Sequence, residues 1–107
     1  MKHMHCPDVE GYDAEALGLV GSVKTMIRVL SDNSVWLEVQ PGGYTPDHQH
    51  DDIERNVVIA GKGTVVLENE RKEIQANDFL EFPANEKHQF INTGDEPLIF
   101  MGFRNQV

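Results

Sequence analysis

The chain has 107 residues, a formal net charge of −9, 39% hydrophobic and 25% charged residues. That length suits one domain, and that composition can bury one modest core, which a disordered segment cannot. The charge weighs against nucleic acid or an anionic membrane as a partner, and no apolar run is long enough to span a bilayer. A single cysteine, Cys6, leaves no disulfide to form within one chain, so the expected setting is soluble, reducing and cytoplasmic.

Residues 1–21 hold Pro7, Gly11, Gly18 and Gly21 with little periodicity, and read as an N-terminal arm with a short helix around Asp13–Leu17. The first three residues, Met1-Lys2-His3, offer an amino group, two backbone amides and an imidazole, a four-nitrogen set suited to square-planar Cu(II) or Ni(II). A frayed terminus with no metal role is the competing reading. Deletion of residues 1–6 should remove one copper equivalent; unchanged copper stoichiometry rejects the site.

From Ser22 to Val107 the pattern predicts a β domain of short strands. They fall at Val23–Leu30, Val35–Gln40, His48–His50, Asn56–Ala60, Thr64–Glu68, Lys72–Gln75, Phe79–Phe82, His88–Asn92 and Leu98–Phe103. Between them stand turn-forming clusters such as Pro41-Gly42-Gly43, Gly61-Lys62-Gly63 and Thr93-Gly94-Asp95. Many short, closely spaced strands imply an antiparallel sandwich or barrel, an all-β fold. Val35, Leu37 and Val39 share one strand face and should point into the core. Trp36 then points outward, into packing within the chain or a dimer contact, the first being the simpler reading.

Five histidines are present, and three of them fall into a pattern with one glutamate. His48 and His50 are two apart, so on extended chain both rings point the same way. Glu54 begins the following strand, and His88 begins another strand far along the chain. Two imidazoles, a carboxylate from the neighbouring strand and a third imidazole from across a barrel can surround one ion. Three neutral nitrogens and one carboxylate suit a divalent transition metal: Mn, Fe, Co, Ni, Cu or Zn. Such a site keeps net charge +1 and open positions, as metal catalysis needs. Scattered surface histidines would explain an isolated H-x-H, but not the residues flanking this one.

Those flanking residues resemble the cupin superfamily. Its first motif, G-x5-H-x-H-x3-E-x6-G, is met in full by Gly42, His48, His50, Glu54 and Gly61. Its second, G-x5-P-x-G-x2-H-x3-N, is met by Pro83, His88 and Asn92, with Asn77 and Asn85 in the two glycine places. Asparagine is among the residues that best tolerate left-handed turn conformations, so the departure touches loop shape and not the ligands. The motifs cover Gly42–Asn92, roughly half the chain. The resemblance implies a double-stranded β-helix, or jelly-roll, barrel, often dimeric through the N-terminal arm and outer strands, so a homodimer is expected. It also implies one metal ion held by His48, His50, Glu54 and His88. In some cupin dioxygenases the glutamate matching Glu54 is also a catalytic base toward the bound substrate; the ligand role is the principal one expected here.

Strand parity extends the reading to the pocket. If His88 faces inward, so do Phe90 and Asn92; Glu54 brings Asn56 and Val58 with it. On the last strand the choice is between Leu98, Phe100 and Gly102 or Ile99, Met101 and Phe103, and the first set leaves room beside a metal. Asn56, Phe90, Phe100 and, at the rim, Tyr44 are the candidate contacts for a small-molecule substrate. Core filling explains the two phenylalanines equally well, and surface packing the tyrosine. A buried Asn56 needs a partner, be it ligand, substrate or backbone. Arg55 should point out of the barrel.

Fold does not set the reaction. A metal-dependent oxygenase or dioxygenase acting on a small organic substrate is the leading expectation. A metal-dependent isomerase or lyase is the second, and a non-catalytic binding module the third.

Overall fold

The computed structural model describes residues 1–104; Asn105, Gln106 and Val107, the end of the predicted β domain, lie outside the described residues. Among those described there is no α-helix. One 3-10 turn (Cys6–Asp8) precedes nine strands: β1 (Gly11–Asp13), β2 (Val23–Ser31), β3 (Ser34–Tyr44), β4 (Glu54–Ala60), β5 (Lys62–Leu67), β6 (Arg71–Gln75), β7 (Phe79–Phe82), β8 (His88–Ile91) and β9 (Leu98–Arg104). They form one antiparallel sheet that runs β6-β5-β8-β3-β9-β4-β7, with β2 on β3 and β1 on β2. The sheet curls into a jelly-roll barrel. Its apolar filling comes from alternate residues of facing strands: Leu37 and Val39 on β3, Val58 on β4, Phe90 on β8, Leu98 and Phe100 on β9.

Three expected elements take a different form. The segment read as helical at Asp13–Leu17 is the end of β1 followed by turns. Leu17 N–H does reach Asp13 O (3.1 Å), but Gly18 then adopts φ +107° and Leu19 N–H turns back to Ala14 O (3.0 Å). One turn closed in this way cannot propagate. The same stretch carries β1 onto the edge of β2 and buries Ala14 completely in the core. The turn expected at Pro41-Gly42-Gly43 is instead a bulge inside β3: between the pairs Val23↔Tyr44 and Thr25↔Val39, β3 spends more residues than β2. The predicted strand His48–His50 is an extended stretch with one bridge, His48 to His88.

The second motif's asparagines do stand in the left-handed region, Asn77 at φ 77° and Asn85 at φ 67°. Asn77 N–H donates to Val58 O (2.8 Å), and Asn85 N–H donates to His50 O (2.6 Å). The second bond ties a turn to the segment that carries two of the histidines. Asn85→Gly is expected to leave thermal stability unchanged or slightly raised, whereas Asn85→Ala should cost about 1 kcal/mol through left-handed strain. Equal melting temperatures for the two variants would reject this account. Gly61 has less latitude: its φ is +82°, and a Cβ there would run into the Pro97 carbonyl.

Candidate metal centre and ligand cavity

His48 and His88 are bridge partners on adjacent segments, not on opposite sides of the barrel as the sequence suggested. His48 N–H donates to His88 O (3.1 Å) and His88 N–H to His48 O (2.9 Å), so the two side chains leave the sheet on the same side. Their ring centroids are 4.5 Å apart. Each ring is oriented by a carbonyl two residues earlier: Nδ1–H of His48 donates to Pro46 O (2.6 Å), and Nδ1–H of His88 to Glu86 O (2.9 Å). A carbonyl can only accept, so both rings keep the Nδ1 hydrogen and turn Nε2 toward the site. His50 sets Nε2 3.0 Å from Glu54 Oε1, and Glu54 Oε2 lies 3.2 Å from His88 Nε2. One ligand atom from each of the four residues lies within 4.8 Å of the others.

The cluster is well shielded: the His88 side chain is 1% exposed and that of Glu54 12%. Phe82, opposite Glu54 in the β4–β7 register, stacks flat on the His88 ring at 4.0 Å and 6°. Asn56, itself buried, donates from Nδ2 to Glu54 Oε2 (2.9 Å). Burial alone would raise the Glu54 pKa. The hydrogen bond and charge of His88, with help from Asn56 and His50, overcome it and bring the carboxyl down to about 2. Burial lowers the His50 pKa, opposed by Glu54 and aided by the charges of Arg104 and the other two histidines. For His88 burial also pulls downward, but the bond and charge of Glu54 win and raise it.

This geometry tests whether a metal fits. Neutral His88, its Nδ1 hydrogen committed to Glu86, would aim a lone pair at a carboxylate oxygen 3.2 Å away. Two such lone pairs repel. A proton on Nε2, or a cation between the two atoms, makes the contact favourable. The Nε2 atoms of His48 and His50 border the same space, so the four residues can hold one divalent cation. No other group of three metal-ligating side chains occurs among the described residues, so His3, His5 and Cys6 form no second cluster. Lys2 is anchored by a bond from Nζ to Leu30 O (2.6 Å).

A cavity of about 300 Å³ opens beside the cluster. His48, His50 and Glu54 form its polar end; Asn56, Phe90, Phe100 and Gly102 continue the wall. Phe90 and Phe100 stack at 4.1 Å and 19°. The last strand therefore turns Leu98, Phe100 and Gly102 inward, the arrangement that leaves room beside the cluster. A Cβ on Gly102 would stand 2.8 Å from Asn56 Oδ1, so the glycine makes space for the amide that orients Glu54. Tyr44 lies apart: it is exposed at the end of β3 and is not among the residues lining this cavity. Arg55 points outward and pairs with Glu81 (2.8 Å). Asn92 bonds to the carbonyls of Val39 and Glu96 (2.8 Å each), a structural task in the turn after β8.

Sequence reasoning missed Phe82 and Arg104. Parity could have found Arg104, the next inward position after Gly102 on β9; Phe82 needed the β4–β7 register that sets it across from Glu54. Asn56→Ala should weaken metal binding by roughly 10- to 100-fold, as loss of such an outer contact typically does. Competition against a chelator measures it, and unchanged affinity in a folded variant would show that Glu54 is positioned without Asn56.

The chain is 30% identical to auxin-binding protein 1 of Arabidopsis thaliana over 99 residues, 83% of this chain and 50% of that protein. It is 28% identical to auxin-binding protein T92 of Nicotiana tabacum over 98 residues, 81% of this chain and 52% of that one. The chain thus spans about half the length of these relatives. Among solved structures, the polyketide cyclase RemF from Streptomyces resistomycificus superposes with a TM-score of 0.84 at 25% identity, covering 97% of this chain and 78% of that one. A predicted oxalate decarboxylase from Thermotoga maritima superposes with a TM-score of 0.85 at 18% identity over 99% and 100% of the two chains, a likeness of fold alone. The Cupin domain family matches residues 35–103, the span that contains all four clustered side chains and the strands that carry them, and the chain belongs to that family.

Proposed function

We propose that the cluster holds one divalent transition-metal ion and that the protein is an enzyme that rearranges or closes a ring in a small, mostly apolar organic molecule bearing an oxygen donor. One observation carries this reading: a cavity with stacked Phe90 and Phe100 in its wall ends on His48, His50 and Glu54, three of the four residues whose ligand atoms converge. The similarity to a polyketide cyclase over nearly the whole chain supports ring-closing chemistry. A bound divalent ion would supply Lewis acidity toward a carbonyl or carboxylate oxygen.

The chain's own residues do the rest. The carbonyls of Pro46 and Glu86 keep two imidazoles in the tautomer that presents Nε2. Asn56 and His50 fix the two oxygens of Glu54 in different directions. Phe90 and Phe100, each 1% exposed and stacked on each other, close the inner wall of the cavity to water. Asn56 Oδ1, which has no hydrogen-bond partner among the described residues, can accept from a hydroxyl of the substrate.

The oxygenase reading rests on the same apolar wall, which suits O2 as well as an organic substrate. The two readings separate on O2. Protein reconstituted with each candidate metal would be tested on small aromatic diketones and hydroxy ketones, in air and anaerobically. Turnover without O2 supports the redox-neutral reading; stoichiometric O2 uptake transfers support to the oxygenase. Tight binding with no turnover in either atmosphere leaves a binding module, and no binding at all overturns the proposal. A homodimer through the outer face, where Ile59, Phe79 and Phe103 are exposed, belongs to the same reading and is tested by sedimentation. Among the described residues no helix is long and apolar enough to cross a membrane. The lone cysteine supports a reducing, cytoplasmic setting.

A further inference from the structure

We infer that Arg104 is the anion-recognising group of the cavity, and that the molecule taken there is a small apolar carboxylic acid. Its carboxylate would meet the open edge of this guanidinium while a second oxygen reaches the histidine–glutamate cluster. The inference rests on the cavity reading above and narrows its substrate class.

Register places the residue. Arg104 is the cross-strand partner of Glu54 on the β4–β9 ladder, so the two side chains leave the sheet on the same face. Arg104 also follows Leu98, Phe100 and Gly102 at two-residue intervals, all of them inward. It is the only lysine or arginine among the described residues that line the cavity.

Two contacts fix it. Asp52 takes one edge of the guanidinium: Nε donates to Oδ1 (2.8 Å) and Oδ2 (3.0 Å), and Nη2 lies 2.8 Å from Oδ1. The Arg104 backbone N–H donates to Asn33 O (2.9 Å), which ties the strand end to the β2–β3 turn at the cavity rim. A guanidinium carries five N–H donors on two usable edges. The second edge, Nη1 with the remaining hydrogen of Nη2, has no partner among the described residues, and the side chain is 39% exposed. A planar fork already oriented by one carboxylate can accept another in bidentate fashion, with little rotamer freedom left to lose.

Charge agrees. Asp52 and Arg104 cancel, and Glu54 offsets one charge of a divalent ion, so a loaded site keeps a net positive charge. Asp32, exposed at the rim, is the opposing group. An apolar acid fits the rest: its apolar part against the Leu19, Val29 and Val35 side of the lining, its carboxylate at the open edge.

The competing explanation is a structural ion pair that only pins the segment before Glu54. Metal-free protein separates the two, because the Arg104 site needs no metal. The probes are 3-phenylpropionate and its neutral amide, titrated by calorimetry and by NMR against wild type, R104Q, R104K and D52N. The acid should bind wild type, weaken about 10- to 100-fold in R104Q and less in R104K, while amide binding stays constant; that range follows from a charge-assisted hydrogen bond of about 1.5–3 kcal/mol. D52N should keep acid binding, since the open edge survives. A purely structural pair would move R104Q and D52N together and affect acid and amide alike, and that result overturns the assignment. Amide binding with no preference for the acid overturns Arg104 alone. If neither probe binds wild type, with or without metal, the cavity reading falls as well.

Discussion

Reconstituted wild-type protein is expected to retain roughly one equivalent of divalent transition metal per chain, and the double variant His48→Ala/His88→Ala to lose it. Two of four ligand atoms disappear, and those left, on His50 and Glu54, already lie 3.0 Å from each other. Removal of a single outer contact costs up to about 100-fold in affinity, and removal of two direct ligands should exceed that. The two positions differ in what else they do. His88 is buried under Phe82 and bonds Glu86, so its loss also opens a gap in the core. His48 is half-buried, and His48→Ala alone should reduce affinity with the fold intact, as circular dichroism can verify. Elemental analysis of untagged protein prepared without nickel resin is the decisive assay. Metal retained in full by the folded double variant would place the ion elsewhere.

Phe90→Ala should produce the largest loss of stability, about 3–5 kcal/mol. Against the ~5–15 kcal/mol that holds an ordinary domain together, that is a large share. Phe90 is 1% exposed, stacks on Phe100 at 4.1 Å and meets Phe82 edge-on at 5.9 Å. Its backbone N–H donates to the buried Thr45 hydroxyl (2.9 Å), a bond the substitution leaves in place. The cost therefore measures the ring and the space it leaves. Phe90→Leu keeps much of the volume and should cost less. Denaturant unfolding with an unchanged slope reads both. A loss under about 1 kcal/mol for Phe90→Ala would mean that the ring lies loosely against the cavity and is no part of the packed core.

The cluster of His48, His50, Glu54 and His88 was legible because each part of it is a short-range pattern. His48 and His50 share a side by simple alternation, Glu54 opens β4 and His88 opens β8. The inward choice of Leu98, Phe100 and Gly102 followed from the same two-residue period, and Asn77 and Asn85 stand where a left-handed residue was needed. What escaped depends on partners distant in sequence. The bulge at Pro41-Gly42-Gly43 exists because β2 and β3 are out of step there, and only the pairing reveals it. Strand β1 exists because Gly11–Asp13 finds the edge of β2, although its own three residues are all exposed and carry no strand signal. Phe82 belongs to the site through the flat face of His88, six residues later and across a turn. Arg104 needed only one more step of the parity already in use.

The lone indole has a practical consequence. Trp36 turns away from the barrel filling that Leu37 and Val39 enter; Nε1–H donates to Glu38 Oε2 (2.9 Å), an oxygen that Arg28 also approaches at 3.2 Å. Its neighbours across the ladder are Arg28 and Met101. Trp36 is only 8% exposed, so emission from this chain reports on packing over the outside of the barrel wall. Filling the cavity should leave the spectrum nearly still, while association of two chains over the face that bears Met101 should shift it. One fluorophore, excited selectively, thus separates assembly from occupancy without any label.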